Sequence, residues 1–400
     1  MKNIVILYFA DDKPSGVVRY IEMLEKGLCS HKSMKLYTIC LHKKILFSKI
    51  CHTNGCVKIQ IPFFPEPYFF KYNTYIRDWY FTVVADVISS YLKDERISLW
   101  HVQELFIIEL AKKLSHKNGG AIVSHLHIIP WKFSYSSNPN FFNLLYKQKQ
   151  KEDYSLISKN ELERNAYSLS DKIICVSNCA KEHIIKAYGV DASKIEVVYN
   201  GLFNIPVKNK TYKYNLCEIL FVGRICGDKG VFFLLNALKR VKSKGYLFVV
   251  NLVGKVNDVT KDLILNKYED LNIRIYGELT YNQIQEMYIK CTIGVIPSLH
   301  EQCSYTAIEM MMFGMPMIVS NVDALSEMFE HEINALKIPL VFDEDFGLTL
   351  DENKLENSII RLIENQTLRE NLGKKAVENY NRNFTLEHMI ENTIRVYEKC

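Results

Sequence analysis

The sequence predicts an α/β protein with two doubly wound domains that face each other across a cleft. Its 400 residues exceed what one ordinary hydrophobic core holds, which indicates two domains of roughly 200 residues each. Short apolar runs alternate with stretches of helical period in both halves, as expected when helices join parallel strands. Between the halves, residues 201–216 show no sustained period and include Pro206, which predicts a linker.

The elements follow from the period of the apolar residues. Predicted strands in the first half are Ile4–Phe9, Leu36–Leu41, Val57–Pro62, Leu99–Val102, Ala121–Ile128, Lys172–Ser177 and Ile195–Tyr199, and predicted helices are Val17–Leu28, Ile76–Leu92 and Glu104–Leu114. In the second half, the strands are Ile219–Val222, Leu247–Val253, Ile273–Tyr276, Ile293–Ile296 and Met317–Val319, and the helices are Val231–Lys242 and Ser304–Phe313. The expected domains are therefore residues 1–205 and 206–385, followed by a helical stretch at 386–400 with an apolar stripe.

The amino-acid composition indicates the broad class of protein and the cellular compartment in which we expect it. With 48% hydrophobic and 24% charged residues, the chain has globular rather than disordered composition. The first apolar run, Ile4–Ala10, is too short for a secretory signal, and no run of 18 apolar residues predicts a membrane span. The 11 cysteines form no Cys-x-x-Cys pair, and their odd count without a signal indicates the reducing cytosol.

Charge is distributed unevenly along the chain. Residues 1–200 hold 27 Lys and Arg against 19 Asp and Glu, whereas residues 201–400 hold 23 against 26. The basic first half suits an anionic partner such as a lipid phosphate, an anionic membrane surface or a nucleic acid, although incidental surface lysines give the same excess.

Two carboxylates flank a predicted helix start in the second half. After the buried strand Ile293–Ile296, Glu301 lies on a loop, and a helix begins at Ser304 and carries Glu309 one turn further on. Open α/β sheets bind ligands at this edge, and a helix N-terminus suits an anion. Backbone N–H groups at Ser304 and Tyr305 would face a diphosphate, and the carboxylates would accept hydrogen bonds from sugar hydroxyls. The pattern predicts a nucleotide-sugar site.

This Glu-x7-Glu motif resembles that of the family 4 glycosyltransferases, also called group 1, which have the GT-B fold of two Rossmann-like domains. The resemblance implies a retaining transferase that moves a sugar from a nucleotide diphosphate-sugar to a hydroxyl acceptor in glycan, polysaccharide or glycoconjugate biosynthesis. It implies no metal and no cofactor besides the donor substrate, with Glu301 on the sugar and Glu309 on the ribose. It also implies that residues 1–205 bind the acceptor, that residues 206–385 bind the nucleotide-sugar, and that the final helix, residues 386–400, crosses back onto the N-terminal domain. Gln302, Cys303 and Ser304 replace the family's glycine-containing run, so typical members do not indicate which sugar is carried.

A second motif supports the resemblance. The segment Phe221–Gly230 follows a strand and opens a helix, with Gly223 allowing close backbone approach. Arg224 and Lys229 project toward the same strand end, where two cations neutralise a departing diphosphate. The family has this Gly-Arg…Lys-Gly pattern, and the resemblance makes Arg224 and Lys229 the diphosphate clamp.

Two weaker motifs lie in the first half. Ser15 and Gly16, after the first strand, resemble the family's Gly-Gly loop that closes on the phosphate and acceptor, with Ser15 replacing the first glycine. His125 and His127 face the same way at the end of a strand. His127 matches a family histidine that hydrogen-bonds the sugar or the reacting centre, while Ile128 replaces the aspartate that follows it. His125 is the competing choice, and either residue could instead be an ordinary buried histidine.

The acceptor region is the least specified. An aromatic and basic segment contains Phe69, Phe70, Lys71, Tyr72, Tyr75, Arg77, Trp79 and Tyr80. It suits peripheral contact with an anionic membrane or an acceptor groove, or else packs on its own domain. We expect a lipid-linked or growing glycan as acceptor, at the cytoplasmic face of the membrane, and no nucleic acid partner.

Two other functions stay open on the sequence alone. The missing glycines near Gln302 and the absent acid at Ile128 suit a catalytically inactive nucleotide-sugar-binding or regulatory protein. A dinucleotide-dependent oxidoreductase is disfavoured because no Gly-x-Gly-x-x-Gly follows the first strand.

Overall fold

The structure, a computed structural model, describes residues 2–10, 15–31, 33–53, 55–63, 74–93, 95–129, 154–205, 216–343 and 347–400. These divide into two compact units. The N-terminal unit holds the described residues up to 200 together with 386–400, and the C-terminal unit holds those from 201 to 385.

The N-terminal unit is built on an eight-stranded sheet. Its strands are β1 (Lys2–Ala10), β2 (Met34–His42), β3 (Lys49–Thr53), β4 (Cys56–Pro62), β5 (Leu99–Val102), β6 (Ala121–Leu126), β7 (Lys172–Cys175) and β8 (Ile195–Val197). They lie in the order β3-β4-β2-β1-β5-β6-β7-β8, and every neighbouring pair is parallel except β3 and β4. Ile4 to Leu7 in β1 are fully buried, as expected for a central strand covered on both faces.

Helices cover this sheet and close its hydrophobic core. They are Gly16–Cys29, Thr74–Tyr91, Ile108–Asn118, Tyr154–Leu169, Asn178–Tyr188 and Leu386–Glu398. The first and last of them pack closely together, since a Cβ added at Gly27 would lie 2.2 Å from Ile390 Cγ1. Glycine at position 27 therefore lets the two helices approach this closely, and any larger residue there would require the Ile390 side chain to move.

The C-terminal unit has a six-stranded parallel sheet and a separate core. Its strands are β9 (Cys217–Val222), β10 (Phe248–Val253), β11 (Ile273–Gly277), β12 (Ile293–Ile296), β13 (Met317–Ser320) and β14 (Leu336–Ile338), in the order β11-β10-β9-β12-β13-β14. The antiparallel strands β15 (Leu340–Asp343) and β16 (Gly347–Leu350) form a small second sheet. The helices are Val231–Ser243, Asp258–Lys267, Tyr281–Lys290, Tyr305–Met312, Asp323–Met328, Glu352–Glu364 and Gln366–Asn383.

The fold class predicted from the sequence is confirmed. All twelve predicted strands and all the predicted helices are present, with ends that differ by a few residues. Ala121–Ile128 was too long a strand: β6 ends at Leu126, so His127 lies just beyond it. The sequence did not predict β3, β14, β15 or β16. Within the described ranges, no helix is both long enough and apolar enough to cross a bilayer.

Candidate active site

The strand order of the C-terminal sheet creates a natural binding position. The order runs outward from β9 through β10 to β11 on one side and from β12 to β14 on the other, so it reverses between β9 and β12. Crossover helices leave on opposite faces at such a switch point, which opens a crevice at the carboxyl ends of the two strands. Gly223 follows β9 and the loop carrying Glu301 follows β12. Both predicted motifs therefore meet at this edge.

An ion pair joins the two motifs. Lys229 Nζ lies 2.5 Å from Glu301 Oε1, with the two side chains 21% and 12% exposed. The hydroxyl of Ser298 donates a 3.0 Å hydrogen bond to the same carboxylate oxygen. The carboxylate is thus oriented by two donors, and its second oxygen, Oε2, is not used by either of them.

Backbone contacts hold the Glu301 loop in place. The Glu301 N–H donates to Asp323 Oδ2 at 3.2 Å, and the Ala324 N–H donates to the Glu301 carbonyl at 3.1 Å. On the other side, the Leu299 N–H donates to the Asp228 carbonyl at 3.0 Å. Since Asp228 precedes Lys229, this bond ties the two motif loops together independently of their charges.

Two glycines permit the loops to approach this closely. Gly230 has a φ of 72°, and a Cβ there would lie 1.9 Å from the Pro297 carbonyl oxygen. Gly254, after β10, has a φ of 131°, and its Cβ would lie 2.0 Å from the carbonyl oxygen of Gly223. A Cβ at Gly223 itself would meet nothing nearer than the Phe221 ring at 3.9 Å, so the close approach of these two backbones depends on Gly254.

Arg224, the other predicted cation of the diphosphate clamp, differs from Lys229 in its surroundings. Arg224 is exposed, and its side chain makes no hydrogen bond or ion pair with any other described residue. Its five N–H donors are therefore not committed within the described chain. The structure brings Lys229 and Glu301 into contact, whereas it gives Arg224 no such fixed partner.

The helix after the Glu301 loop begins as predicted. Tyr305–Met312 is helical, and the Ser304 hydroxyl accepts a 3.4 Å hydrogen bond from the Ala307 N–H as its N-cap. Glu309 lies on the inner side of this helix and is 3% exposed. Its Oε2 accepts a 2.6 Å hydrogen bond from the Tyr288 hydroxyl, so Tyr288 fixes the direction of this carboxylate.

The N-terminal sheet has its own switch point, between β1 and β5. Ser15 and Gly16 follow β1, where the Ser15 hydroxyl caps the first helix by accepting from the Val18 N–H at 3.2 Å. Glu104 follows β5, and its Oε2 accepts a 3.0 Å hydrogen bond from the Phe9 N–H. Burial outweighs this hydrogen bond and raises the pKa of the Glu104 carboxyl to about 8.

A row of histidines lies beside this edge. The rings of His125 and His127 stack with centroids 4.1 Å apart, which confirms that they face the same way. His101 Nε2 and His125 Nδ1 are 3.1 Å apart, and the Tyr397 hydroxyl lies 2.7 Å from His101 Nδ1. Burial lowers the pKa of His101 and of His127 to about 3, so these rings are neutral at physiological pH.

A buried amide orients His127. The His127 Nε2 lies 2.9 Å from Gln103 Oε1, and Gln103 is 2% exposed. Because Oε1 only accepts, Nε2 carries the proton and Nδ1 of the neutral ring is left as an acceptor.

The aromatic and basic segment is only partly as predicted. Phe69, Phe70, Lys71 and Tyr72 lie outside the described residues. Tyr75 and Trp79 are 87% and 66% exposed, whereas Tyr80 is buried and its hydroxyl donates to the Pro62 carbonyl. Arg77 is 15% exposed and pairs with Glu109 through bonds of 2.8 and 3.0 Å. A cation committed in this way does not serve as a free surface charge.

Sequence reasoning missed several residues that build these two edges. Glu104 and Gln103 had no motif, and only their position after a predicted strand could have drawn attention to them. Ser298 is three residues from Glu301, a spacing that suits a local hydrogen bond. Gly254 follows an apolar strand, which is the usual signal of close backbone approach.

Comparison with known proteins agrees with both halves. The family model for group 1 glycosyl transferases matches residues 207–379, and that for glycosyltransferase family 4 matches residues 14–202. An uncharacterized glycosyltransferase of Methanocaldococcus jannaschii is 28% identical over 61% of this chain and 66% of its own length, so the match spans less than two thirds of that relative.

Solved structures show the same fold over the whole chain. A sucrose-phosphate synthase from Thermosynechococcus elongatus superimposes with a TM-score of 0.75 at 16% identity, covering 100% of this chain and 99% of the other. Anabaena HepE in complex with UDP-glucose gives 0.72 at 15% identity, covering 99% and 100%. The two family matches and the shared architecture agree with the Glu-x7-Glu and Gly-Arg…Lys-Gly motifs, and the chain belongs to the group 1, family 4 glycosyltransferases of the GT-B fold.

Proposed function

We propose that this protein transfers a sugar from a nucleotide diphosphate-sugar to a hydroxyl acceptor, with retention of the anomeric configuration and without a metal ion. The observation that carries the proposal is the pairing of Lys229 with Glu301 at the switch point of the C-terminal sheet. This pairing supports the proposal because a cation suited to a diphosphate lies next to a carboxylate suited to sugar hydroxyls.

The reacting bond joins the anomeric carbon to a diphosphate oxygen. When it breaks, the electron pair leaves with the diphosphate, and negative charge grows on that oxygen. The acceptor hydroxyl oxygen bonds to the anomeric carbon, and its proton passes to the released diphosphate. Lys229 and the exposed Arg224 supply N–H donors for this charge. The helix that begins at Tyr305 adds the positive end of its dipole, which replaces a metal ion in this role.

Carboxylates position the rest of the donor. Glu301 has one oxygen held by Lys229 and Ser298, so its orientation toward a sugar hydroxyl is fixed before the donor binds. Glu309 is oriented by Tyr288 and is assigned to the ribose. Gly223 lets the backbone approach the nucleotide closely.

The N-terminal unit is proposed to bind the acceptor. His127 is held neutral with one ring nitrogen bonded to Gln103, which suits a hydrogen bond to a sugar or an acceptor hydroxyl. Ser15 and Gly16 lie at the switch point of the same sheet. We propose a lipid-linked or growing glycan as acceptor, with the enzyme in the cytoplasm and in peripheral contact with an anionic membrane.

The support for the donor comes from relatives as well as from geometry. HepE has been solved with UDP-glucose, and a Salmonella typhimurium relative that is 28% identical over 161 residues is an O-antigen chain mannosyltransferase. These facts belong to those proteins, and they make UDP-glucose and nucleoside diphosphate-mannose the first donors to test.

A second candidate is a nucleotide-sugar-binding protein without catalysis. It is favoured by Ile128, which is 49% exposed at the position where the family has an aspartate. A panel of nucleotide-sugars separates the two functions by nucleotide release and by NMR of the product anomer. Release of nucleoside diphosphate with a retained anomer supports transfer, whereas tight binding without any release contradicts it.

A further inference from the structure

The backbone of the C-terminal unit is strained next to the Glu301 loop. Within the described ranges, the residues other than glycine that have a positive φ are Asp323, at 42°, and Glu332, at 62°. A residue with a Cβ disfavours this left-handed region, and strained residues of this kind cluster at functional sites. Glu332 lies in the turn before β14, whereas Asp323 contacts the Glu301 loop. The strain at Asp323 therefore lies beside the candidate donor site.

Asp323 and the residue after it hold both main-chain groups of Glu301. Asp323 Oδ2 accepts a 3.2 Å hydrogen bond from the Glu301 N–H, and the Ala324 N–H donates to the Glu301 carbonyl at 3.1 Å. A hydrogen bond to a carboxylate is stronger than one between two neutral groups. The Asp323 carboxylate thus fixes the backbone from which the Glu301 side chain extends.

Other contacts fix the side chain of Glu301 rather than its backbone. The hydroxyl of Ser298 donates to Glu301 Oε1 at 3.0 Å, and Lys229 pairs with the same oxygen. The buried Ser320, at the end of β13, holds Ser298 in turn, because its hydroxyl donates to the Ser298 carbonyl. If Asp323 released the backbone, these contacts would hold only one end of Glu301. The direction of Oε2, the oxygen proposed to meet the sugar, would then change.

Stability alone does not favour aspartate at position 323. Glycine adopts a φ of 42° without strain and would fit this backbone better. A carboxylate beside a site for a diphosphate also repels that ligand. The hydrogen bond that Asp323 accepts from the Glu301 N–H accounts for an aspartate that is unfavourable in both respects.

We propose that Asp323 is a positioning residue for Glu301, and that its carboxylate keeps the Glu301 side chain directed at the donor sugar. This inference rests on the proposed function, because it takes Glu301 to bind the sugar. Asp323 acts through the Glu301 N–H and needs no contact with the donor itself. Its loss should therefore affect the sugar part of the donor and spare the nucleoside diphosphate.

Three substitutions separate the carboxylate from the strained backbone. Asp323→Gly removes the hydrogen bond and the strain, and Asp323→Ala removes only the hydrogen bond. Asp323→Asn keeps an acceptor oxygen on a side chain that tolerates a positive φ. The assay is nucleotide release from UDP-glucose or nucleoside diphosphate-mannose, whichever the wild type cleaves faster.

The expected results place stability and turnover in different orders. Asp323→Gly should melt at a higher temperature than Asp323→Ala, because it is free of the strain. Both variants should nevertheless lose nucleotide release at least about tenfold, since a hydrogen bond to a charged group is gone. Asp323→Asn should stay within about threefold of the wild type, because its amide oxygen accepts the same N–H.

Binding of the free nucleoside diphosphate gives a readout that general damage to the site would change. Calorimetry should show that Asp323→Gly binds the nucleoside diphosphate of the chosen donor within about twofold of the wild type, because that ligand has no sugar for Glu301 to orient. Nucleoside diphosphate binding that weakens as much as release falls would overturn the proposal, since it would show that Asp323 has a merely structural role.

Glu332 supplies a matched control in the same unit. Its backbone is also left-handed, and its exposed carboxylate pairs with Arg361 at 2.8 Å. Glu332→Gly relieves a similar strain and should release nucleotide at the wild-type rate. Equal losses in Glu332→Gly and Asp323→Gly would overturn the proposal. Wild-type release by Asp323→Gly, or release by Asp323→Asn as low as that of Asp323→Ala, would also overturn it.

Hydrogen exchange of the Glu301 N–H tests the contact without any donor. This amide should exchange slowly in the wild type and in Asp323→Asn, and at least about tenfold faster in Asp323→Gly. Equally slow exchange in all three proteins refutes the positioning role. The expected exchange pattern together with no nucleotide release by the wild type from any donor refutes the proposed function, while the anchoring of Glu301 by Asp323 stands.

Discussion

Replacing Gly230 by alanine should damage the donor site more than the same replacement at a glycine of similar backbone conformation. Gly230 and Gly277 have φ values of 72° and 68°, so alanine is strained at both. This strain costs about 1–2 kcal/mol at each position. At Gly277 nothing lies within 4 Å of the added Cβ, and at Gly230 the Pro297 carbonyl oxygen lies 1.9 Å away.

The extra cost at Gly230 comes from moving that carbonyl. Contacts of this kind are essentially never shorter than 3.0 Å, so the Pro297 loop or the Gly230 turn must shift by more than about 1 Å. Overpacking of this size costs about 1–3 kcal/mol. We therefore expect Gly230→Ala to destabilise the C-terminal unit by about 2–5 kcal/mol and Gly277→Ala by about 1–2 kcal/mol.

Hydrogen exchange during urea denaturation measures the difference in stability between the two variants specifically in the C-terminal unit. Peptides from β9, β10 and β12 report unfolding of the C-terminal unit without a contribution from the other one. Because the shift also moves Lys229 away from Glu301, nucleotide release should fall in Gly230→Ala and stay close to the wild type in Gly277→Ala. Equal stability and equal release in the two variants would refute the close approach on which the site depends.

Three further outcomes are expected. Because burial raises the folded pKa of Glu104 to about 8 from its ordinary value of 4.5, the contribution of Glu104 to stability is complete below the unfolded pKa and is lost as pH rises through 8. Glu104→Gln should therefore gain stability relative to the wild type between about pH 5 and 8 in urea titrations, and a pH-independent difference would contradict the shift. His127 should keep the NMR shifts of a neutral ring from pH 8 down to pH 5, whereas a midpoint near 6.5 would show that burial does not hold its pKa near 3. Nucleotide release should be unchanged by EDTA, since we propose that Arg224 and Lys229 take the role that a metal plays elsewhere, and loss that Mg²⁺ restores would contradict this assignment.

Most of the helices and strands follow from the spacing of apolar residues along the sequence, and the strands that this spacing missed have physical causes. Buried strands such as Ile293–Ile296 consist of continuous apolar residues, so they are visible without tertiary information. The missed strand β3 is exposed at every residue and lies at the sheet edge, where no buried face imposes an apolar pattern. β14 has only three residues, fewer than a periodic pattern needs.

The sequence identified residues of the candidate donor site but did not predict which of their side chains are in contact. The predicted strand boundaries placed Glu301 and Lys229 just after the ends of two strands. Their contact also requires β9 and β12 to be neighbours in the sheet, and local sequence does not reveal the strand order. Arg77 illustrates the opposite error: its spacing among aromatics suggested a surface charge, and Glu109 on another helix pairs with it. The pKa of Glu104 likewise depends on burial that arises only when β1 and β5 lie side by side.

The most direct test of the account is the rate of sugar transfer by Arg224→Ala and Glu301→Gln. We propose that both side chains bind the donor, Arg224 at the departing diphosphate and Glu301 at the sugar. Hydrogen exchange serves as the control and should show that both variants are folded. Each should lose about 100- to 1,000-fold in turnover with the best donor of the panel, as expected when one charge-stabilising group is removed. Turnover within about twofold of the wild type for both folded variants, well short of that loss, would contradict the placement of the active site at this switch point.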